Sequence, residues 1–137
     1  EDFALTYGDG VADIEVDKLV AFHKSHGKKA TVTAVQPALR FGALETEGDV
    51  VRAFREKATE GAGWVNGGFF VLSPDVCDLI DGDNVAWERE PLETLAASGD
   101  LKAYYHDGFW HPMDTLRDKI YLDQLWSDGE APWKMWQ

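Results

Sequence analysis

The chain has 137 residues, 45% of them hydrophobic, with 25 acidic against 13 basic side chains and a formal charge of −12. That length and apolar fraction predict one globular domain, residues 1–137, able to bury a core without metal or disulfide staples. The charge argues against nucleic acid and anionic membranes as partners, since both present the same sign at long range. A phosphorylated small molecule remains admissible if a bound cation and a few local Lys or Arg offset the repulsion.

One cysteine, Cys77, cannot close an internal disulfide, which fits a reducing cytoplasm, and its neighbours Val76, Leu79 and Ile80 predict a packed thiol. No segment is long and apolar enough to span a bilayer, and no basic, then apolar leader precedes the first strand. Only Glu1 and Asp2 stand before that strand, so a trimmed start and a piece of a longer protein are both open readings.

Phe3 to Tyr7 is an apolar run that ends in Gly8-Asp9-Gly10. The pattern predicts a buried strand delivering one carboxylate into a tight turn, with a glycine on each side to admit another molecule. An acid at the carboxyl end of a sheet strand stands where open α/β sheets place ligands. Asp9 is thus either a loop residue or a divalent-metal ligand. Val16 to His26 is amphipathic, with Asp13 as an expected N-cap and Gly27 as the stop. Ala30 to Val35 reads as a second buried strand. Strand, helix and strand within about thirty residues form a βαβ unit, which lays the two strands parallel.

Gly42–Glu45 and Val50–Arg55 flank Thr46-Glu47-Gly48-Asp49 as a hairpin, followed by Glu56-Lys57 and a glycine-bearing loop to Gly63. Trp64 to Leu72 is strand-like but carries Asn66-Gly67-Gly68, which marks either a bulge or a ligand lying on bare backbone. Ser73-Pro74 opens a short helix to Ile80, and Asp81-Gly82-Asp83-Asn84 is a solvated turn. A helix from Trp87 to Ser98 ends at Gly99, and its acids Glu88, Glu90 and Glu93 read as helix-terminus electrostatics. Leu101–His106 and Phe109–Thr115 are strands. The second presents Asp114 at the mouth of a last helix, Leu116 to Trp126, where Asp114 or Thr115 can serve as N-cap. Trp133 and Trp136 in the tail predict docking within the chain or across an oligomer interface. His23, His26, His106 and His111 share no metal-binding spacing, and no Ser-His-Asp set, Gly-rich phosphate loop or zinc pattern occurs.

The blocks Leu5-Thr6-Tyr7-Gly8-Asp9-Gly10-Val11, Arg40-Phe41-Gly42-Ala43-Leu44, Phe54-Arg55-Glu56-Lys57, Trp64-Val65-Asn66-Gly67-Gly68-Phe69-Phe70, Trp87-Glu88-Arg89-Glu90-Pro91-Leu92 and Gly108 to Asp118 resemble the sugar-nucleotide pyrophosphorylases, among them the glucose-1-phosphate cytidylyltransferases. The resemblance runs from end to end of the chain. It implies an α/β, Rossmann-like nucleotidyltransferase fold, a mixed sheet flanked by helices, and magnesium-dependent transfer of CMP from CTP to glucose 1-phosphate with release of pyrophosphate. Carried over by position, it implies Asp9 and Asp114 as magnesium ligands, with Gly8 beside the nucleotide. Glu56 and Lys57 correspond to the pair that touches the sugar and its phosphate, and Asn66 and Gly67 to the strand on which the hexose lies. Two acids plus phosphate oxygens and water suit magnesium, and Lys57 offers a point charge to the anion.

Two departures stand out. The family's glycine-rich triphosphate loop has no counterpart, so the chain resembles only the carboxyl-terminal half and is expected to be inactive by itself. Ala58 stands where the family usually has proline. A non-catalytic sugar-binding or oligomerisation module built on the same fold is the second reading, and a homo-oligomer is expected in either case. A carbohydrate hydrolase using Glu88 and Glu93 is a third, disfavoured because both fall at one helix start.

Overall fold

The computed structural model describes residues 1–37, 43–47, 49–55 and 63–137. Its elements are β1 (Phe3–Thr6), β2 (Gly10–Ala12), α1 (Val16–His26), β3 (Ala30–Val35), β4 (Ala43–Glu47), β5 (Val50–Arg55), β6 (Val65–Leu72), a 3-10 helix (Pro74–Leu79), α2 (Glu90–Ala97), β7 (Leu101–His106), β8 (Trp110–Pro112) and α3 (Leu116–Ser127). Four strands form a mixed sheet in the order β1-β6-β3-β7. Strand β6 is antiparallel to β1 and β3, and β7 is parallel to β3. β1 and β3 therefore run in the same direction, as the βαβ pattern predicts, but β6 lies between them. Its run Phe69-Phe70-Val71-Leu72 is apolar on both faces, which suits a strand that has neighbours on both edges and layers above and below. Two short antiparallel pairs, β2 with β8 and β4 with β5, complete the strands.

The alternation of β6 builds both layers. Phe70 and Leu72 join Ala30, Val76 and Leu95 on the side covered by the 3-10 helix and α2, while Val71 turns to Ile14 and Leu19 on the side of α1. Each of these large side chains, taken fully out of water, contributes about 1.5–3 kcal/mol.

Several local expectations change. Helix α1 takes Glu15, not Asp13, as its N-cap; Glu15 has extended dihedrals (φ −79°, ψ 96°), makes no side-chain cap bond and pairs instead with Lys18. Asp13 is occupied elsewhere, with His106. Helix α2 begins at Glu90 rather than Trp87, because Pro91 fits the first turn of a helix and not its interior. Cys77 is exposed rather than packed. In a 3-10 helix three residues make a turn, so Val76 and Leu79 face the core together and Cys77 is carried round to the outside.

The glycine pair in β6 sits at a bulge, where the register against β3 shifts between Val32 and Ala34. Gly68 has φ +80°, and a Cβ there would stand 2.6 Å from the Tyr7 ring; at Gly67 it would meet Val35 at 2.8 Å. The tail docks within the chain through Trp133, whose ring stacks on Phe109 at 5.8 Å and on Trp126 at 6.4 Å, while Trp136 stays 59% exposed. Among the described residues no helix is long and apolar enough to cross a membrane.

Candidate functional site

Strand β1 ends in the turn Gly8-Asp9, and β2 begins immediately after it. β2 pairs antiparallel with β8, Gly10 opposite Pro112 and Val11 opposite His111. The ribbon extends by one more bond, as the Met113 amide donates to the Asp9 carbonyl at 2.6 Å. Asp114 follows Met113 directly. Two acids from opposite ends of the chain are thus delivered to the same end of one two-stranded ribbon, and both are exposed. The Trp110 indole N–H donates to the Gly67 carbonyl at 2.9 Å and clamps the ribbon onto β6. The Gly8-Asp9 turn and the Asp114 backbone thus meet at one end of the ribbon, while its other end, at Trp110, is fastened to Gly67 beside Asn66. Glu56 and Lys57 lie outside the described residues.

Beside the turn, hydrogen bonds fix a directed row. The Asn66 side-chain oxygen accepts from the Gly68 amide at 2.8 Å, which leaves its NH2 to donate to the Tyr7 hydroxyl at 3.2 Å. Burial pushes the Tyr7 phenol above its ordinary range; Asn66 pulls the other way, and the Glu88 and Asp9 charges add to the rise. Glu88 lies in the turn ahead of α2, outside the first helical turn that holds Glu90 and Glu93.

Two histidine pairs hold the frame. The His106 Nε2–H is shared between the Asp13 carboxylate at 2.9 Å and the Phe109 carbonyl at 3.2 Å, and the Asp13 amide returns a bond to Phe109. Gly108 makes room for that pair: a Cβ there would stand 2.5 Å from the Asp13 carboxylate. His111 donates from Nε2 to Asp118 at 3.0 Å. Thr115 is the N-cap of α3, with Asp118 completing a capping box. Sequence reasoning offered Thr115 as one of two caps and Asp13 as the cap of α1, but missed the pairing of Asp13 with His106 and of His111 with Asp118. A Thr followed three residues later by Asp was the only available hint.

The donor set fits magnesium. Among the described residues no three His, Cys, Asp or Glu side chains converge as a protein-only metal cage. Magnesium is commonly held by one or two carboxylates, with water and substrate phosphate supplying the rest, and Asp9 and Asp114 are hard oxygen donors of that kind.

Comparison with known proteins places the chain in a family. The family model for nucleotidyl transferases matches residues 2–128. The chain is 58% identical over its whole length to the glucose-1-phosphate cytidylyltransferase of Salmonella typhi, of which it spans 53%. It is 33% identical over 127 residues to mannose-1-phosphate guanyltransferase beta-A of Xenopus laevis, covering 89% of this chain and 35% of that protein. In structure it resembles HddC from Yersinia pseudotuberculosis with a TM-score of 0.63 at 20% identity, over 91% of this chain and 55% of that one. The chain thus spans about half the length of the curated relatives it matches, and by that family match, which runs almost from end to end, it belongs to the nucleotidyl transferases.

Proposed function

We propose that the protein to which this chain contributes the metal-binding half transfers CMP from CTP to glucose 1-phosphate, giving CDP-glucose and pyrophosphate. The observation that carries the reading is the bond from Met113 to Asp9, which sets two exposed carboxylates at one ribbon end in a chain 58% identical to a glucose-1-phosphate cytidylyltransferase. An oxygen of the sugar phosphate attacks the α-phosphorus, a new P–O bond forms, and the bond to the β-phosphate oxygen breaks as pyrophosphate leaves. Magnesium, when bound, offsets the charge that gathers on the α-phosphoryl group. Asp9 and Asp114 would hold it, with Gly8 leaving space for the nucleotide. Exposed Asn66 would face the hexose, with Gly67, buried and bonded to Trp110, shaping the strand beside it, while Glu56 and Lys57 would hold the sugar's hydroxyls and phosphate. The cation and Lys57 together answer the repulsion that a chain of charge −12 would otherwise exert on both substrates.

The 137-residue chain by itself is proposed not to turn over, a reading supported by its covering about half of its relatives. Pyrophosphate release from CTP, glucose 1-phosphate and magnesium tests both statements. The full-length protein is expected to be active, the 137-residue chain to be silent, and Asp9→Asn or Asp114→Asn in the full-length protein to lose activity about 100-fold or more. Activity spared by both substitutions would overturn the ligand assignment, and preference for another nucleoside triphosphate would overturn the choice of CTP.

A further inference from the structure

We infer that Asp118, four residues beyond Asp114, is a positioning residue that sets the second acid and, through it, the geometry offered to a cation. The inference rests on the reading of Asp114 as a metal ligand. Asp118 is only 2% exposed, on a helix whose Leu116 and Ile120 are 71% and 58% exposed. Helix α3 thus turns an acid inward where an apolar residue would be expected, and a buried carboxylate is costly unless fully hydrogen-bonded. Here it is. One oxygen accepts from the Asp114 amide and the Thr115 amide, each at 3.1 Å, and from the Thr115 hydroxyl at 3.0 Å. The other oxygen accepts from His111 at 3.0 Å.

A capping box needs only the bond to the Thr115 amide. Of the three other bonds named, one stays with the Thr115 hydroxyl, and the other two go to the acid-bearing residue and to the ribbon. Asp114 is held by its own main chain, so its carboxylate stays exposed while its backbone is fixed. His111 lies on β8 opposite Val11, two residues from Asp9, so the same carboxylate also ties α3 to β8, the partner of the strand that follows the first acid. Asp118 touches neither proposed substrate. Its effect passes through the backbone of Asp114 and the ring of His111. Groups that orient a metal's ligands commonly cost 10–100-fold in affinity when removed.

The test uses the full-length protein with Mn2+ alone as the probe, free Mn2+ being followed by electron paramagnetic resonance at a temperature where circular dichroism shows every variant folded. Asp114→Asn serves as the control for the ligand reading. Asp118→Ala is expected to raise the Mn2+ Kd about tenfold, at the low end of that range because the effect passes through the main chain. Asp118→Asn keeps an acceptor for the two amides and is expected to fall between it and wild type, which preserves the test if the alanine variant does not fold. If Asp114→Asn weakens Mn2+ while both Asp118 variants stay within twofold of wild type and lose only thermal stability, Asp118 is a helix cap and the inference is overturned. If Asp114→Asn itself leaves the Kd unchanged, the ligand reading fails, and the inference with it.

Discussion

At the scale of single residues, the described histidines show how much hydrogen-bond direction can be derived from partners alone. The Lys28 amide donates to His26 Nδ1 at 2.9 Å, so that nitrogen keeps its lone pair and the proton of the neutral ring sits on Nε2. From there His26 donates to the Thr31 hydroxyl at 2.6 Å, and the Thr31 proton passes on to His23 Nδ1 at 2.8 Å. The His23 Nε2–H then points at Asp2, 3.3 Å away. Protonating His26 would set an N–H against an N–H. Burial pulls the His26 pKa below the usual imidazole value, and His23, Lys102 and Lys28 add to the pull. The unfolded chain therefore binds this proton more readily than the folded one, so the stability held by neutral His26 is complete above about pH 6.5 and is lost as the pH falls below that value. Urea midpoints measured from pH 7.5 to 5 are expected to decline toward acid, with a shallower decline in His26→Gln. Thr31→Val, which strands two imidazole nitrogens, is expected to cost about 1–3 kcal/mol at neutral pH. None of this was visible in the sequence, where four histidines without common spacing looked like ordinary packing residues, since their partners come from other elements.

At the scale of elements, the legible parts were those with a strong period or a clear stop. Val16–His26 was read to the residue because its apolar spacing and Gly27, in the left-handed region at φ 66°, agree with each other. Ala30–Val35 and Leu101–His106 were equally clear, being β-branched or aromatic runs between turn residues. The position of β6 was not legible, because strand order depends on which faces need cover, and local pattern does not encode that. Asp9 and Asp114 could be named from family likeness. That one main-chain bond would join their loops could not, since such a bond leaves no trace in residue type. The bulge in β6 was offered as one of two readings and is present, with Gly68 under the ring of Tyr7. Gly68→Ala should force a positive φ on alanine and push that ring away from its bond with Asn66. A loss of about 2 kcal/mol or more in chemical denaturation is expected, with a change in tyrosine fluorescence; an unchanged midpoint would show that the ring moves aside without penalty.

At the scale of the whole molecule, α3 leaves Leu116, Ile120 and Tyr121 open to solvent, and Met113 and Trp126 are also about half exposed. Apolar patches of this kind mark contact surfaces or aggregation hazards. In the 137-residue chain, Leu116→Glu with Ile120→Glu is expected to lower binding of a hydrophobic dye and to raise the concentration at which light scattering begins, with the melting temperature little changed because neither side chain is in the core. The β2–β8 ribbon bears on a different question, that of when the molecule becomes competent. Its two strands are about a hundred residues apart in the chain, and such a loop is closed at an entropic cost that only an already compacted interior can offset. Three rungs of ladder cannot do this unaided, so the ribbon is the last stitch rather than the first. Any cation seated at its end would then reward only finished molecules, and adding that ion should slow unfolding while leaving the early steps of folding untouched.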